Sequence, residues 1–268
     1  MRLTRLCATV FVKDGFIVRS EQFTTHQIFG NGINTIQRFF DWEVDELLIL
    51  DISRTSKFDT RRDDHKIQSF NSMSSLVNKI TQKCHLPLAV GGNICTLQDA
   101  RDRFAWGADK IVINSMFYQY PEQCVEISKL YGNQSILFSL DYRNINGILA
   151  PFYNRGTQQA NYSVNQILDK CEKLGIGEIM LHNIDHDGSG CGFDTQTIEK
   201  IVSKTSIPIL ACGGCGHPKH VAQCLEIPDL SGVCIGNILH YSENAYNKLK
   251  TYCNKNVTLV RPNFTNGG

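Results

Sequence analysis

Pro87-Leu88-Ala89-Val90-Gly91-Gly92-Asn93-Ile94 decides the fold, because the chain contains its plan twice. Pro208-Ile209-Leu210-Ala211-Cys212-Gly213-Gly214-Cys215-Gly216 repeats it: a proline, a short apolar run, then a glycine pair. A buried strand ending in Gly-Gly can bring bare backbone N–H groups up to a ligand, since no Cβ blocks the approach. A second echo follows each copy. Ile113-Asn114-Ser115 closes the next apolar run of the first half, and Ile235-Gly236-Asn237 closes its counterpart. The glycine pairs begin at 91 and 213 and the second echoes centre on 114 and 236, 122 residues apart in each case. Two pairs of strand ends in one register point to a duplicated half-domain.

With 268 residues, 42% of them apolar, the chain can bury a large core. Glycine and proline gather into no linker, so one domain is expected over about 1–253, with halves of about 1–132 and 133–253. The tail 254–268 holds no recognisable element. A formal net charge of +1 argues against nucleic acid or an anionic membrane as the main partner. No apolar run approaches the roughly 20 residues of a membrane span. Met1-Arg2-Leu3-Thr4-Arg5 leads into a strand-like segment without signal-peptide anatomy. The eleven cysteines are odd in number and several fall inside elements, so they read as reduced thiols of a cytoplasmic protein.

Strand-like and helix-like segments then alternate. Strands are expected at Leu6–Val12, Phe16–Val18, Glu46–Asp51, after Pro87, and at Lys110–Asn114. In the second half they fall at Ser135–Asp141, Glu178–Asn183, Ile207–Cys212 and Gly232–Gly236. Between them lie helical stretches, of which Pro121–Tyr131 has proline near its start and Gly132 past its end. Residues 19–34 read as a polar loop, and the charged segment 54–66 is either a lid or a solvated insertion. Eight strand–helix pairs with apolar strands indicate a parallel sheet closed into a (β/α)8 TIM barrel of two similar half-barrels. An open doubly wound sheet lacks its G-x-G-x-x-G after the first strand. Barrel chemistry belongs at the carboxyl ends of the strands. That rule puts Asp51, Gly91-Gly92, Asn114-Ser115, Asp141, Asp185-His186-Asp187-Gly188, Gly213-Gly214 and Gly236-Asn237 on the functional face. Arg5, Glu46, Lys110 and Glu178 fall at strand starts, on the opposite mouth.

These residues, with Val12-Lys13-Asp14-Gly15, Asp45-Glu46-Leu47, Leu50-Asp51 and Gly107-Ala108-Asp109-Lys110, give a chain that resembles the HisA/HisF half-barrel family over nearly its whole length. Within that family it looks most like HisF, the cyclase subunit of imidazole glycerol phosphate synthase. The resemblance implies a substrate with a phosphate at each end. Gly91, Gly92, Asn114 and Ser115 would cradle one phosphate; Gly213, Gly214, Gly236 and Asn237 would cradle the other, with Asp187 and Gly188 beside them. It implies Arg19 and Asp51 as substrate-loop residues and Asp141 as one of two catalytic carboxylates. The position of the second, two residues before Lys13, holds Phe11, and aligning the two halves also pairs Phe11 with Asp141. A phenyl ring cannot move a proton. At the other mouth the resemblance makes Arg5, Glu46, Lys110 and Glu178 an ammonia gate facing a docked HisH-like glutaminase. Retention of the gate beside a lost acid fits a diverged HisF-like branch that serves a sugar amidotransferase and makes acetamidino groups on surface sugars. The alternatives are a true histidine-pathway cyclase and a barrel that is only a scaffold. The family implies no cofactor and no metal.

Lesser constellations remain. Cys212-Gly213-Gly214-Cys215 is a C-x-x-C with His217 and His220 nearby, a pattern that can hold zinc but has no second C-x-x-C. His182 and His186 flank the sixth strand end, where they form a polar rim or replace the missing acid. The sequon at Asn263 is without meaning in an unsecreted chain.

Overall fold

The computed structural model describes residues 4–30, 32–54, 58, 70–82, 85–257 and 260. Twelve strands fall in chain order as β1 (Arg5–Lys13), β2 (Phe16–Glu21), β3 (Thr25–Gly30), β4 (Glu46–Asp51), β5 (Leu88–Gly91), β6 (Lys110–Ile113), β7 (Ile136–Ile145), β8 (Ile148–Tyr153), β9 (Gln158–Gln159), β10 (Glu178–Asn183), β11 (Ile209–Cys212) and β12 (Gly232–Ile235). Eight of them, β1-β4-β5-β6-β7-β10-β11-β12, pair in parallel, and β12 returns to β1. The expected TIM barrel is therefore present. The outer layer is α1 (Gly32–Asp41), α2 (Met73–Thr81), α3 (Leu97–Ala105), α4 (Ser115–Gln119), α5 (Pro121–Tyr131), α6 (Val164–Leu174), α7 (Thr195–Val202), α8 (Pro218–Leu225) and α9 (Ala245–Asn256). Local chemistry sets their ends. Thr96/Asp99 and Ser163/Gln166 form capping boxes on α3 and α6, and Gly175 ends α6 in the left-handed region. No helix among the described residues is long and apolar enough to cross a membrane.

Two antiparallel additions lie outside the expected plan. The expected strand at Phe16–Val18 extends to Glu21 and, with residues expected as a polar loop, forms the hairpin β2–β3, and β7 runs on past Asp141 to pair with β8, which pairs with β9. Both stand at the carboxyl mouth. Most of the 54–66 segment lies outside the described residues, as does the sequon. At the other end α9 reaches Asn256, beyond the expected domain limit, and Val260 bridges Thr4.

Alternation splits each barrel strand between two cores. Leu6, Ala8, Val10 and Val12 face the helices, whereas Cys7 and Phe11 join Leu48, Leu50, Ala89, Val112, Leu137, Met180, Leu210, Cys212 and Cys234 in the lumen. The same alternation shifts the internal echo by one residue. Gly91 and Cys212 both end their strands; a Cβ on Gly91 would stand 2.6 Å from the Val112 Cβ. The pair with matching backbone is Gly92 (φ 95°) and Gly213 (φ 96°), followed by Asn93 (φ 53°) and Gly214 (φ 102°). A Cβ on Gly92 would lie 2.0 Å from the Asp51 carbonyl oxygen, and on Gly213 2.6 Å from that of Asn183. Both glycines let one strand end cross its neighbour. Asparagine tolerates the left-handed region well enough to take the second place.

Closure of the barrel relies on a buried ion pair that sequence reading did not anticipate. Lys250 of α9 reaches Asp45 at 2.8 Å, with both side chains nearly inaccessible. Asp45 also accepts from the Leu6 N–H, and the Tyr246 hydroxyl accepts from the Asp45 N–H and donates to the Leu6 carbonyl. The last helix is thereby tied to the first two barrel strands. Lys250→Ala leaves a buried carboxylate uncompensated and should cost about 3–5 kcal/mol, read from the urea midpoint, while Asp45→Asn with Lys250→Met should recover most of that loss.

Candidate functional site

Four charges close the amino-terminal mouth. Arg5, Glu46, Lys110 and Glu178 open β1, β4, β6 and β10, and their side chains meet as an alternating ring. Arg5 donates to Glu46 at 2.5 Å and to Glu178, and Lys110 donates to both acids at 2.8 Å. The acids are almost wholly buried (3% and 5% exposed) and the bases about one-fifth exposed, so the ring shows its cations outward. Burial alone would lower the pKa of both bases, but the two glutamates outweigh it and the net shift is upward. Desolvation costs several kcal/mol per ion, which the mutual attraction only roughly offsets. The ring is therefore weak as a source of net stability and strong as a constraint on its own members.

Above the ring the lumen narrows to small and sulfur-bearing side chains. Cys7, Cys234 and Cys212 stand side by side in register on β1, β12 and β11, and the Cys7 thiol approaches Glu46 at 3.9 Å. Burial and the neighbouring thiol hold Cys7 and Cys234 well above the ordinary thiol pKa, so they are neutral. Cys215 packs instead with the outer core, which separates the two thiols of the C-x-x-C. No cluster of metal-ligating side chains occurs among the described residues.

At the carboxyl mouth the lumen ends in a polar layer walled by aromatics. Asp141 ends the barrel portion of β7, and Ser139 donates to it at 2.5 Å. His182, from β10, lies between Asp141 (Nδ1 to Oδ1 3.9 Å) and Asp187 (Nε2 to Oδ1 3.6 Å) and is only 2% exposed. It does not belong to a rim. Phe11 stacks on the imidazole at 6.1 Å between centroids, and Phe23, at the turn of the β2–β3 hairpin, meets it edge-on at 4.7 Å. Burial drives the Asp141 carboxyl up to about 6, resisted by His182 and Ser139. Burial pulls the imidazole down, but Asp187 and Asp141 together raise it. Asp187 is held below the usual carboxylate range, its burial outweighed by His182 and the Ser20 hydroxyl. At 3.6 Å the Nε2 approach is a charge contact outside hydrogen-bond reach, and Nε2 has no partner.

The glycine loops lie around this layer. A small cleft, with room of about 30 Å³, is lined by Thr9, Phe11, Asp187, Gly188, Gly213-Gly214 and Gly236-Asn237, so the four residues expected as the second cradle border one space. Asn237 donates to the Ser20 carbonyl, which ties the eighth loop to the hairpin. Across the mouth, Asn114 is used structurally, donating to the Ser139 and Phe152 carbonyls, and Ser115 accepts from the Asn154 N–H. Gly91 still belongs to its strand; Gly92 and Asn93 make the turn. Asp51 is buried, accepts from the Ser53 N–H at 2.9 Å, and is raised by burial against the pull of Ser53, Arg103 and Asn93. Arg19 is held by the Tyr241 hydroxyl at 2.6 Å and by Glu21.

Arg155 went unread. From the β8–β9 turn it crosses to the Ser53 carbonyl (2.9 Å) and Asn93 Oδ1 (3.0 Å), which places a cation over the first cradle. Asn154-Arg155-Gly156 has left-handed backbone throughout, so a turn was its only readable signal. His186 secures its own loop through the Gly192 carbonyl at 2.8 Å, and His217 and His220 serve the start of α8.

The Asp141 shift has a consequence for stability. A carboxyl whose folded pKa is raised from 3.8 to about 6 contributes stability below 3.8 that is lost as the pH climbs through 6. Asp141→Asn removes that loss and keeps an acceptor for Ser139. The variant should therefore gain on wild type between about pH 4 and 6 and be more stable at pH 7 by roughly 1–3 kcal/mol, measured by urea unfolding at both pH values.

Comparison with known proteins agrees with this architecture. The family model described as histidine biosynthesis protein matches residues 5–245. The subunit HisF of imidazole glycerol phosphate synthase from Pyrococcus furiosus is 29% identical over 97% of this chain and 99% of its own length. Those of Prosthecochloris aestuarii (28%, covering 97% and 100%) and Staphylococcus saprophyticus (29%, covering 96% and 98%) are similar to the same extent. A match that runs from the first barrel strand to the start of the last helix takes in all eight barrel strands, and the chain belongs to the histidine biosynthesis protein family, with HisF-like relatives along nearly its whole length.

Proposed function

We propose that this chain is the synthase-type subunit of a glutamine amidotransferase complex, taking ammonia from a HisH-like glutaminase at its amino-terminal mouth and delivering it to a phosphorylated substrate at the other. The observation that supports this most is the ring of Arg5, Glu46, Lys110 and Glu178 beneath a lumen of uncharged side chains. Neutral ammonia passes thiols and aliphatic groups without the desolvation cost an ammonium ion would meet. The four contacts close the ring, so passage requires a member to move. Lys110, a point charge on a flexible stem, suits that role better than the forked Arg5. The mouth supports a phosphorylated ligand through the Gly213-Gly214 cleft at one side and Arg155 at the other.

Phe11 directs the choice of acceptor. With a phenyl ring on β1 facing Asp141 and His182, an ordinary two-carboxylate cyclisation is disfavoured, and amidination of a surface-polysaccharide sugar by an associated amidotransferase is the reading we adopt. A second reading, the histidine-pathway cyclase itself, is favoured by one observation: Asp141 retains an ionisable partner in His182. Complementation of a strain lacking the HisF cyclase separates the two, growth supporting the second.

Lys110→Ala tests the shared part of both readings. It should weaken the fold by about 3–5 kcal/mol, because Glu46 and Glu178 lose a common partner. With folded variant and glutaminase together, turnover driven by glutamine should fall well below turnover driven by added ammonium chloride. Equal loss of both rates would make the ring purely structural, and absence of glutaminase binding at micromolar concentration would remove the channelling reading.

A further inference from the structure

Among the described histidines, only His182 lies within 4.0 Å of two carboxylates, and it does so with its bonding unfinished. A histidine kept for packing normally closes its hydrogen bonds, since a buried unpaired nitrogen is costly. Here the Nδ1 and Nε2 approaches of 3.9 and 3.6 Å both fall outside hydrogen-bond range, and Nε2 has no hydrogen-bond partner. The groups that face the ring are Asp141 on β7, Asp187 after β10, Phe11 on β1 and Phe23 at the hairpin turn. Farther out, His26 of β3 feels Asp187 and Tyr118 of α4 feels Asp141. Asp187 also lines the glycine-loop cleft, so the Nε2 edge is the one turned toward bound substrate. Phe23 covers it, at a turn of left-handed backbone where its own N–H bears on the Asp187 carboxylate and the neighbouring Gln22 donates to the Asp187 and Asp185 carbonyls.

We propose that His182 is the general acid–base of the carboxyl mouth, with Asp141 as the positioning residue behind it and Phe11 and Phe23 as the apolar walls that fix its ring. The proposal rests on the reading of that mouth as the place where ammonia meets a phosphorylated substrate. The proton balance closes within one turnover. The imidazolium gives its Nε2 proton to a substrate heteroatom as a bond to that atom breaks, leaving a neutral imidazole with Nδ1–H toward Asp141. It regains one proton from the nitrogen of the ammonia adduct as that nitrogen becomes uncharged. The raised imidazole and the Asp141 carboxyl near 6 keep both groups within reach of neutral pH.

The test uses the full chain, ammonium chloride as nitrogen source, and the substrate of imidazole glycerol phosphate synthase as probe. His182→Gln should lower kcat by roughly 10²–10⁴-fold with KM within a few-fold, and should remove one limb of the pH–rate profile. Asp141→Asn should move that limb to lower pH without abolishing turnover. In case His182→Gln does not fold, the wild-type ring is followed by NMR. Ionisation above the ordinary imidazole value, perturbed by the probe, is expected, and a ring neutral throughout about pH 5–8 overturns the proposal. Unchanged kcat in His182→Gln overturns it; a wild type that binds the probe without turning it over counts against the histidine-pathway acceptor instead, and the NMR titration with bound probe then decides for or against His182. Turnover with ammonium but not with glutamine refutes the channelling reading instead and leaves His182 in place.

Discussion

In a closed parallel barrel half of every strand's side chains have no exit but the lumen, and that restriction organises this molecule. Along β1 the inward series begins with Arg5 and Cys7 and ends at Phe11; along β10 it is Glu178, Met180 and His182. Charges can enter such a space only in neutralising sets. At the base the requirement is met by two acids and two bases that share every contact, and at the top by one imidazole between two carboxylates. Between these layers the buried lumen cluster of the described residues is uncharged. A charged base, an uncharged lumen and a titrating mouth therefore follow from one alternation of residues.

The two ends differ in how firmly their charges are settled. Direct contacts at the base shift both cations upward. At the mouth the contacts are longer and the surroundings more apolar, so Asp141 rises to about 6 while Asp187 is driven the other way. Environments that push neighbouring carboxyls apart assign them different roles. Phe11 contributes to this division. It supplies no proton, yet it stacks on His182 and excludes water from the side where a second carboxylate would have stood.

The barrel and its charged base were legible in the sequence because their signals are local to strands: apolar runs, and charged residues at the starts of four of them. The echo was legible to within one residue. Gly91-Gly92 and Gly213-Gly214 look equivalent as letters, but the backbone equates Gly92-Asn93 with Gly213-Gly214, since what matters is where one strand end crosses another. The β2–β3 hairpin was hidden by its polar residues, and the Asp45–Lys250 pair by 205 residues of separation. Arg155 gave only a turn signal, and its role emerges from the fold that brings β8 beside the third-strand loop. The burial of His182 could not be read from its neighbours, because Leu181 and Asn183 are as compatible with a rim as with a lumen.

The central claim is that nitrogen travels through the barrel and does not enter from solvent. Isotope competition measures this directly. The complex of this chain with the proposed HisH-like glutaminase is supplied with glutamine labelled with 15N in the side-chain amide, in a large excess of unlabelled ammonium held at a pH where little is free ammonia. Mass spectrometry then reads the nitrogen in the aminated product. Product carrying almost entirely 15N is the result expected of a sealed path from the ring of Arg5, Glu46, Lys110 and Glu178 to the mouth. Product whose label follows the bulk ratio would contradict the account.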